Sequence, residues 1–397
     1  MERIGIYGGT FNPPHIGHMH SAQQVLSLLK LDKLLLIPDR IAPHKALPEG
    51  SASAQQRLEM LEIAAAHIPF AQICDIELRR EGKSYTYLTV GELKKQYPDA
   101  ELVLIMGSDM FLSFRSWKNP QMIWENATLT VLCRGDKDEK SQITEQKAAL
   151  EALGAKVEVV PNEITAISST DLRRMLVFKC AAPYLPAGVG QYICENGLYG
   201  TNDSYKQLPM EQLEMIVIGL INPNRVAHVL GCRDTAVELA RHWGADETDA
   251  ARAGILHDIT KALRGDLQLT LCSEYGIILD DFSTKYPKTL HALTGALVAE
   301  RIFGENNAVV DAIKHHTTGK ADMNLLEKII YVADYMEPCR DFPGVEKLRE
   351  LAYTDLDAAL KLGLEMTLEL LKRQGSEVSP GSRDALNWLN GKDRCKC

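Results

Sequence analysis

The sequence predicts two folds in tandem: an α/β, doubly wound parallel sheet over residues 1–200, then an all-α domain over residues 208–373. Three observations carry this. At 397 residues the chain exceeds one ordinary core. Up to about residue 200, short apolar runs alternate with helical patterns, which is the signature of crossover-linked parallel strands. From Met210 onward apolar residues recur at spacings of three and four, with few plausible strands.

In the first half, Ile4–Tyr7, Lys33–Ile37, Leu102–Met106, Leu129–Cys133 and Val157–Val160 read as buried strands. Ser21–Leu31, Ala54–Ala66 and Thr86–Gln96 read as the helices between them. Such a sheet binds ligands at the carboxyl ends of its strands, where the crossover direction switches. The stretch from Glu195 to Ser204 is rich in turn formers and lacks periodicity, which places the boundary there, with residues 201–207 as a linker. Beyond it, Asp234–Trp243, Ala250–Leu256, Leu326–Met336 and Asp355–Leu371 are predicted helices. Residues 374–397 read as a polar, partly mobile tail.

Composition narrows the function. With 45% hydrophobic and 24% charged residues the chain has the make-up of a soluble globular protein. Its net charge of -9 argues against a non-specific hold on nucleic acid. No apolar stretch approaches a bilayer span, so no membrane partner is expected. No secretory leader is visible at the start, and the nine cysteines are scattered without a CxxC pair. These point to a reducing, cytoplasmic setting.

The first predicted strand empties into Gly8-Gly9-Thr10-Phe11-Asn12-Pro13-Pro14-His15-Ile16-Gly17-His18. A glycine pair there lets backbone amides approach a phosphate closely. His15 and His18, three apart at a helix start, share one side near the positive end of the helix dipole. That arrangement suits stabilisation of a phosphoryl group in transfer.

This run resembles the opening signature of the HxGH nucleotidylyltransferases, whose fold is Rossmann-like. Within them, residues 1–200 are most similar to bacterial nicotinate-nucleotide adenylyltransferases. The family's second signature matches Ile167-Ser168-Ser169-Thr170-Asp171-Leu172-Arg173. Hydroxyls and amides at a helix start, with Arg173 one turn in, suit the outer phosphates of ATP. The resemblance implies ATP contacts from Gly8, Gly9, Thr10, Phe11, Gly107, Asp109, Arg134, Ser169 and Thr170. It implies nicotinate mononucleotide contacts from Lys45, in Pro43-His44-Lys45, from Thr86, in Ser84-Tyr85-Thr86, and from Trp117 and Lys118. Lys118 departs from the aromatic residue common in relatives, but its expected contribution is a backbone amide. His15, His18 and Arg173 would be the catalytic residues and Mg²⁺ would accompany ATP. The expected product is deamido-NAD.

In the helical half, His257-Asp258 ends the apolar run Ala253–Leu256, His228 lies upstream and Asp334 far downstream. Imidazoles and carboxylates on packed helices suit a hard or borderline divalent ion. The H…HD…D order resembles the HD phosphohydrolases. With His291 and His316 between HD and the last Asp, it is similar to the YqeK-type branch, symmetrical diadenosine tetraphosphate hydrolases. That resemblance implies one or two ions (Fe, Mn, Co or Mg) on His228, His257, Asp258, His291, His316 and Asp334, with Asp258 between them as a catalytic residue and His315 in reserve. Lys261 and Arg340 are candidate phosphate holders. The implied reaction cuts diadenosine tetraphosphate into two ADP. Guanosine tetraphosphate, a deoxynucleotide, or a non-catalytic regulatory role are the alternatives.

Overall fold

The computed structural model describes residues 1–43, 46–133, 137–161 and 167–395. It divides into two compact units, Met1–Asp203 and Ser204–Cys397.

In the first unit six strands form one parallel sheet: β1 Arg3–Gly9, β2 Lys33–Pro38, β3 Ala71–Ile73, β4 Glu101–Gly107, β5 Thr128–Cys133 and β6 Val157–Pro161. Their order is β3-β2-β1-β4-β5-β6. Every neighbouring pair is parallel. Helices cover the sheet on both sides, so the central strands are apolar on both faces: Ile4, Leu34, Leu36, Val103 and Leu129 are all fully buried. The edge strand β3 was not expected. Its three residues, Ala71-Gln72-Ile73, carry no apolar run, and β2 pairing alone extends them.

The chain leaves β1 toward β2 on one side and returns to β4 on the other, so the switch point lies between β1 and β4. Gly8, Gly9 and Gly107 end those two strands. Close packing sets β1 in place: a Cβ on Gly5 would lie 2.6 Å from a Leu31 methyl and 2.8 Å from one of Leu34. Helix α1 spans Ile16–Leu28, so it begins five residues before the expected Ser21 and stops short of Leu31. Helix α2 spans Ala54–Ala65, capped by Ser53 and Gln56 in a reciprocal pair of side chain–backbone hydrogen bonds.

The second unit is helical. Helices Val226–Trp243 and Glu247–Leu256 pack as an antiparallel hairpin, and Leu290–Val298, Asn307–His315, Leu325–Met336 and Leu356–Arg373 complete the core. Gly254 lets the hairpin close, because a Cβ there would meet the Arg233 Cα at 2.7 Å. Part of the stretch expected as a linker is built into this unit. Tyr205 is buried against Phe303, and the Gln207 amide donates to the Phe303 carbonyl at 3.0 Å. The stretch expected as a polar tail contains the helix Pro380–Cys395, with Ala385 and Leu389 buried. Its apolar residues fall on one stripe among many polar ones, and only a packing partner makes them count. Among the described residues no helix is long and apolar enough to cross a membrane.

Candidate functional site

Each unit carries its own cluster of chemistry-bearing side chains. In the first, a cleft of about 380 Å³ opens at the carboxyl ends of β1 and β4. Gly8, Gly9, Thr10, Phe11, His15, His18, Gly107, Asp109, Ser169, Thr170 and Arg173 all line it. Residues 167–173 therefore meet the β1 loop across more than 150 positions of sequence. The join is direct: Ser169 Oγ donates to the Pro13 carbonyl at 3.1 Å and Arg173 Nη1 to the Asn12 carbonyl at 2.7 Å.

His15 caps α1 rather than sitting in its first turn. The His18 amide donates to His15 Nδ1 at 3.3 Å, and the His15 amide donates to His18 Nδ1 at 3.2 Å. The two rings stack with centroids 3.6 Å apart. Burial lowers the His15 pKa to about 4 and pushes His18 well below the usual imidazole range, with His15 adding repulsion. Both rings are therefore neutral near pH 7. Because each Nδ1 accepts a hydrogen bond, each proton sits on Nε2, which makes Nε2–H a donor. The pair offers two neutral donors, where the sequence suggested charge stabilisation at a helix start.

Of the expected mononucleotide contacts, Thr86 opens the helix Thr86–Gln96, so its amide lies outside the helical ladder. Ser84 ties this segment to the loop after β2, accepting from the Arg40 amide and donating its own amide to the Ile41 carbonyl, both at 2.9 Å. Lys118 Nζ lies over the Tyr85 ring, 4.5 Å from its centroid. The Trp117 ring packs on Phe114, and its amide is bonded to the Phe114 carbonyl at 3.0 Å. That amide is thus engaged, so of the expected backbone donors it is the one already bonded within the chain. None of Thr86, Trp117 and Lys118 lines the 380 Å³ cleft. Lys45 and Arg134 lie outside the described residues.

In the second unit, Asp258 is buried at the centre of four imidazoles. Its Oδ2 faces His228 Nε2 at 3.6 Å and His257 Nε2 at 3.5 Å. Its Oδ1 faces His291 Nε2 at 3.5 Å and His316 Nε2 at 3.8 Å. Asp334 joins the first pair, 3.2 Å from His228 Nε2. Every Nδ1 is occupied from behind. His257, His291 and His316 donate to the carbonyls of Gly254, Lys288 and Ile313 at 2.8, 2.8 and 2.7 Å, and His228 Nδ1 meets Glu337 Oε1 at 3.0 Å. Those bonds fix the ring orientations and turn all four Nε2 atoms toward Asp258.

Two groups, His228/His257/Asp334 and His257/Asp258/His316, each bring their ligand atoms within 4.8 Å of one another. Asp258 Oδ1 is buried without a hydrogen-bond partner. A buried carboxylate oxygen without a hydrogen bond, 3.6 Å from the Lys261 ammonium and among inward-facing imidazoles, belongs to a donor set suited to divalent cations. Burial alone would raise the Asp258 and Asp334 carboxyls, but the neighbouring imidazoles hold both well below the usual range, so both are ionised. His315 points elsewhere, with Nδ1 on Glu327 Oε1 at 2.7 Å, so His316 is the one that faces Asp258. A groove of about 690 Å³ runs from this centre past Lys261, Thr317, Tyr335, Arg340 and Phe342.

Residues 6–175 match the cytidylyltransferase-like family and residues 225–339 the HD domain. A protein of Shewanella pealeana named "probable nicotinate-nucleotide adenylyltransferase" is 38% identical over 216 residues, 51% of this chain and 99% of the relative. One of the same name from Halalkalibacterium halodurans is 40% identical, covering 52% of this chain and 95% of that protein. The chain belongs to the nicotinate-nucleotide adenylyltransferase family. Its second half is similar to a crystal structure described as a "predicted HD superfamily hydrolase involved in NAD metabolism" from Clostridium acetobutylicum. That likeness has 35% identity, covers 47% of this chain and 98% of the other, and has a TM-score of 0.46.

Three residues with clear structural roles escaped sequence reasoning. In the adenylyltransferase-family unit, Arg57 is fully buried and donates to the Thr10 and Asp39 carbonyls, both at 2.6 Å, and to Asp39 Oδ1 at 3.2 Å. It fastens the β1 loop to the loop after β2. On a helix it reads as one more surface charge, so nothing in the sequence singles it out. Tyr199, buried, donates to Asn12 Oδ1 at 2.7 Å from within the stretch read as turns. Glu337 follows Asp334 by three, a helical spacing that could have marked it as the partner behind His228.

Proposed function

We propose that the chain is a bifunctional nucleotide enzyme. Its first unit would transfer AMP from ATP to nicotinate mononucleotide, giving deamido-NAD and pyrophosphate. The observation that carries this is the convergence of two Nε2–H donors and Arg173 on one cleft at the β1/β4 switch point. A phosphate oxygen of nicotinate mononucleotide attacks the α-phosphorus of ATP in line. A new P–O bond forms there, the α–β anhydride bond breaks, and pyrophosphate leaves with the electron pair. No protein nucleophile is needed, so catalysis rests on positioning and on neutralising the charge that develops on the phosphoryl oxygens. His15 and His18 donate to those oxygens, while Arg173 and the Ser169 and Thr170 end of its helix hold the departing pyrophosphate. Mg²⁺ bound with ATP would supply charge neutralisation on its phosphates.

The second unit would hydrolyse diadenosine tetraphosphate at its centre, giving two ADP. Its supporting observation is the four-imidazole arrangement about the ionised Asp258. His228, His257 and Asp334 would hold one divalent ion, His291 and His316 a second, with Asp258 shared. Such ions supply water activation near neutral pH and screening of the polyphosphate. Lys261 and Arg340, on the groove wall, would bind phosphate oxygens, and Tyr335 and Phe342 offer faces for a nucleoside.

The test is an activity panel on the purified chain with metal analysis of the same sample. Deamido-NAD from ATP and nicotinate mononucleotide, together with ADP alone from diadenosine tetraphosphate, is the expected result. No product from the first pair would remove the transferase reading. Fast cleavage of guanosine tetraphosphate with the dinucleotide left intact would reassign the second unit.

A further inference from the structure

The C-terminal helix Pro380–Cys395 is built onto the loop that follows His316. Ser382, buried, donates from Oγ to the Thr318 carbonyl at 2.8 Å. Its own amide and hydroxyl meet Ser379 Oγ, each at 3.2 Å, which fixes the side chain in that pose. Gly381 packs directly on Gly319: a Cβ at position 381 would lie 2.7 Å from the Gly319 carbonyl oxygen. Gly319 has φ +65, a conformation that favours glycine, and a Cβ on it would lie 3.3 Å from Ala385. The far side of the loop is equally constrained. The Gly319 amide donates to the His315 carbonyl at 2.8 Å, and Thr317 Oγ1 lies 3.1 Å from both His316 Nε2 and His291 Nε2.

The contact therefore runs from Ser382 and Gly381, through a four-residue loop, to the two imidazoles facing Asp258 Oδ1. We propose that this helix is a clamp that positions His316 and Thr317, with Gly381 and Ser382 as positioning residues of the hydrolase centre. The inference rests on the metal reading of that centre. Imidazole ligands lose affinity when the groups that orient them are disturbed, and here those groups come from the last stretch of the chain.

The test is a Co²⁺ titration of the full-length chain, followed by visible absorption, with deamido-NAD synthesis as an internal control. Wild type should bind two ions. Gly381→Val should weaken one of them by about tenfold or more and change its absorption band, because the new side chain displaces the Gly319 carbonyl. Ser382→Ala, which removes the hydroxyl's bonds to the Thr318 carbonyl and to Ser379 Oγ but adds no bulk, should weaken the same ion about fivefold. Both variants should make deamido-NAD at the wild-type rate. If Gly381→Val loses helical circular dichroism, Ser382→Ala decides alone. Variants that keep two ions with wild-type affinity and spectrum overturn the clamp while leaving the metal reading in place. A wild-type chain that takes up no cobalt overturns the metal reading, and the clamp falls with it.

Discussion

The Tyr199 hydroxyl donates to Asn12 Oδ1 at 2.7 Å, joining the last turn of the first unit to the loop that carries His15 and His18. Asn12 Nδ2 donates in turn to Ser51 Oγ at 2.9 Å, and the Asn12 carbonyl receives Arg173. One asparagine thus meets three distant segments. A chain ending at Asp203 should fold and keep adenylyl transfer, whereas one ending at Gly197 should lose most of it. Tyr199→Phe in the full-length chain leaves Asn12 Oδ1 without its buried donor, at a cost of about 1–3 kcal/mol to this unit. Thermal melting and turnover of the three proteins check this. Unchanged melting in Tyr199→Phe would show the bond to be dispensable.

His18→Ala should lower adenylyl-transfer turnover by about 10² or more, as expected for a donor to charge that develops in the transition state. His18 Nδ1 also accepts the His15 amide, so His18→Asn is the sharper variant: it keeps a capping acceptor and lacks Nε2–H. If Asn at 18 restores wild-type kcat, the residue is a helix cap and nothing more.

The same pair makes the first unit acid-sensitive. His15 has its pKa lowered to about 4 by burial, against about 6.5 when unfolded. Between those values the unfolded chain binds the extra proton, so stability is intact above pH 6.5 and falls as pH drops toward 4. The loss from this one residue is about 3 kcal/mol once pH is below 4. Melting temperatures of the chain ending at Asp203, taken from pH 7 to 4.5, should fall more steeply for the parent than for His15→Gln. Parallel slopes would remove His15 as the cause.

How much of this was legible in sequence depends on how far each contact reaches. The pairs His15/His18 and Ser169/Arg173 sit at helix starts, where local spacing alone suggests a cluster of donors. The His/Asp cluster of the HD unit was likewise readable, since His257-Asp258 closes an apolar helix. Arg57, Tyr199 and the final helix were not legible. Each gains its meaning from a partner far away in sequence, and local pattern shows only a surface charge, a turn and a polar tail. The edge strand β3 was missed because three residues carry no period.

Substrate preference follows from which backbone amides remain near the expected nicotinate ring. The Trp117 amide is committed to Phe114, so the amides of Lys118 and Thr86 are the donors expected there. Two N–H groups converging on a carboxylate would both be satisfied, whereas an amide substrate sets its NH₂ against one of them. The acid should be favoured over nicotinamide mononucleotide by about tenfold or more in kcat/KM. Because the donors are main-chain, Lys118→Ala should keep that preference. Equal kcat/KM for acid and amide would remove the backbone-donor account.

The final prediction concerns Asp258, whose two oxygens face two separate pairs of imidazoles. Asp258→Ala removes the only carboxylate that touches both pairs among the described residues, so it should lose bound metal from both sides. Hydrolysis of diadenosine tetraphosphate should then fall to background. Glu337→Gln is the graded companion. It keeps the His228 ligand but weakens the bond behind it, and a 10- to 100-fold loss of metal affinity is expected for such a change. Adenylyl transfer should continue unaltered in both variants, which separates loss of a centre from loss of the protein. Metal content by mass spectrometry, set beside the two activities, gives the answer. Asp258→Ala that retains both metal and hydrolysis would mean that the four imidazoles act without their central carboxylate.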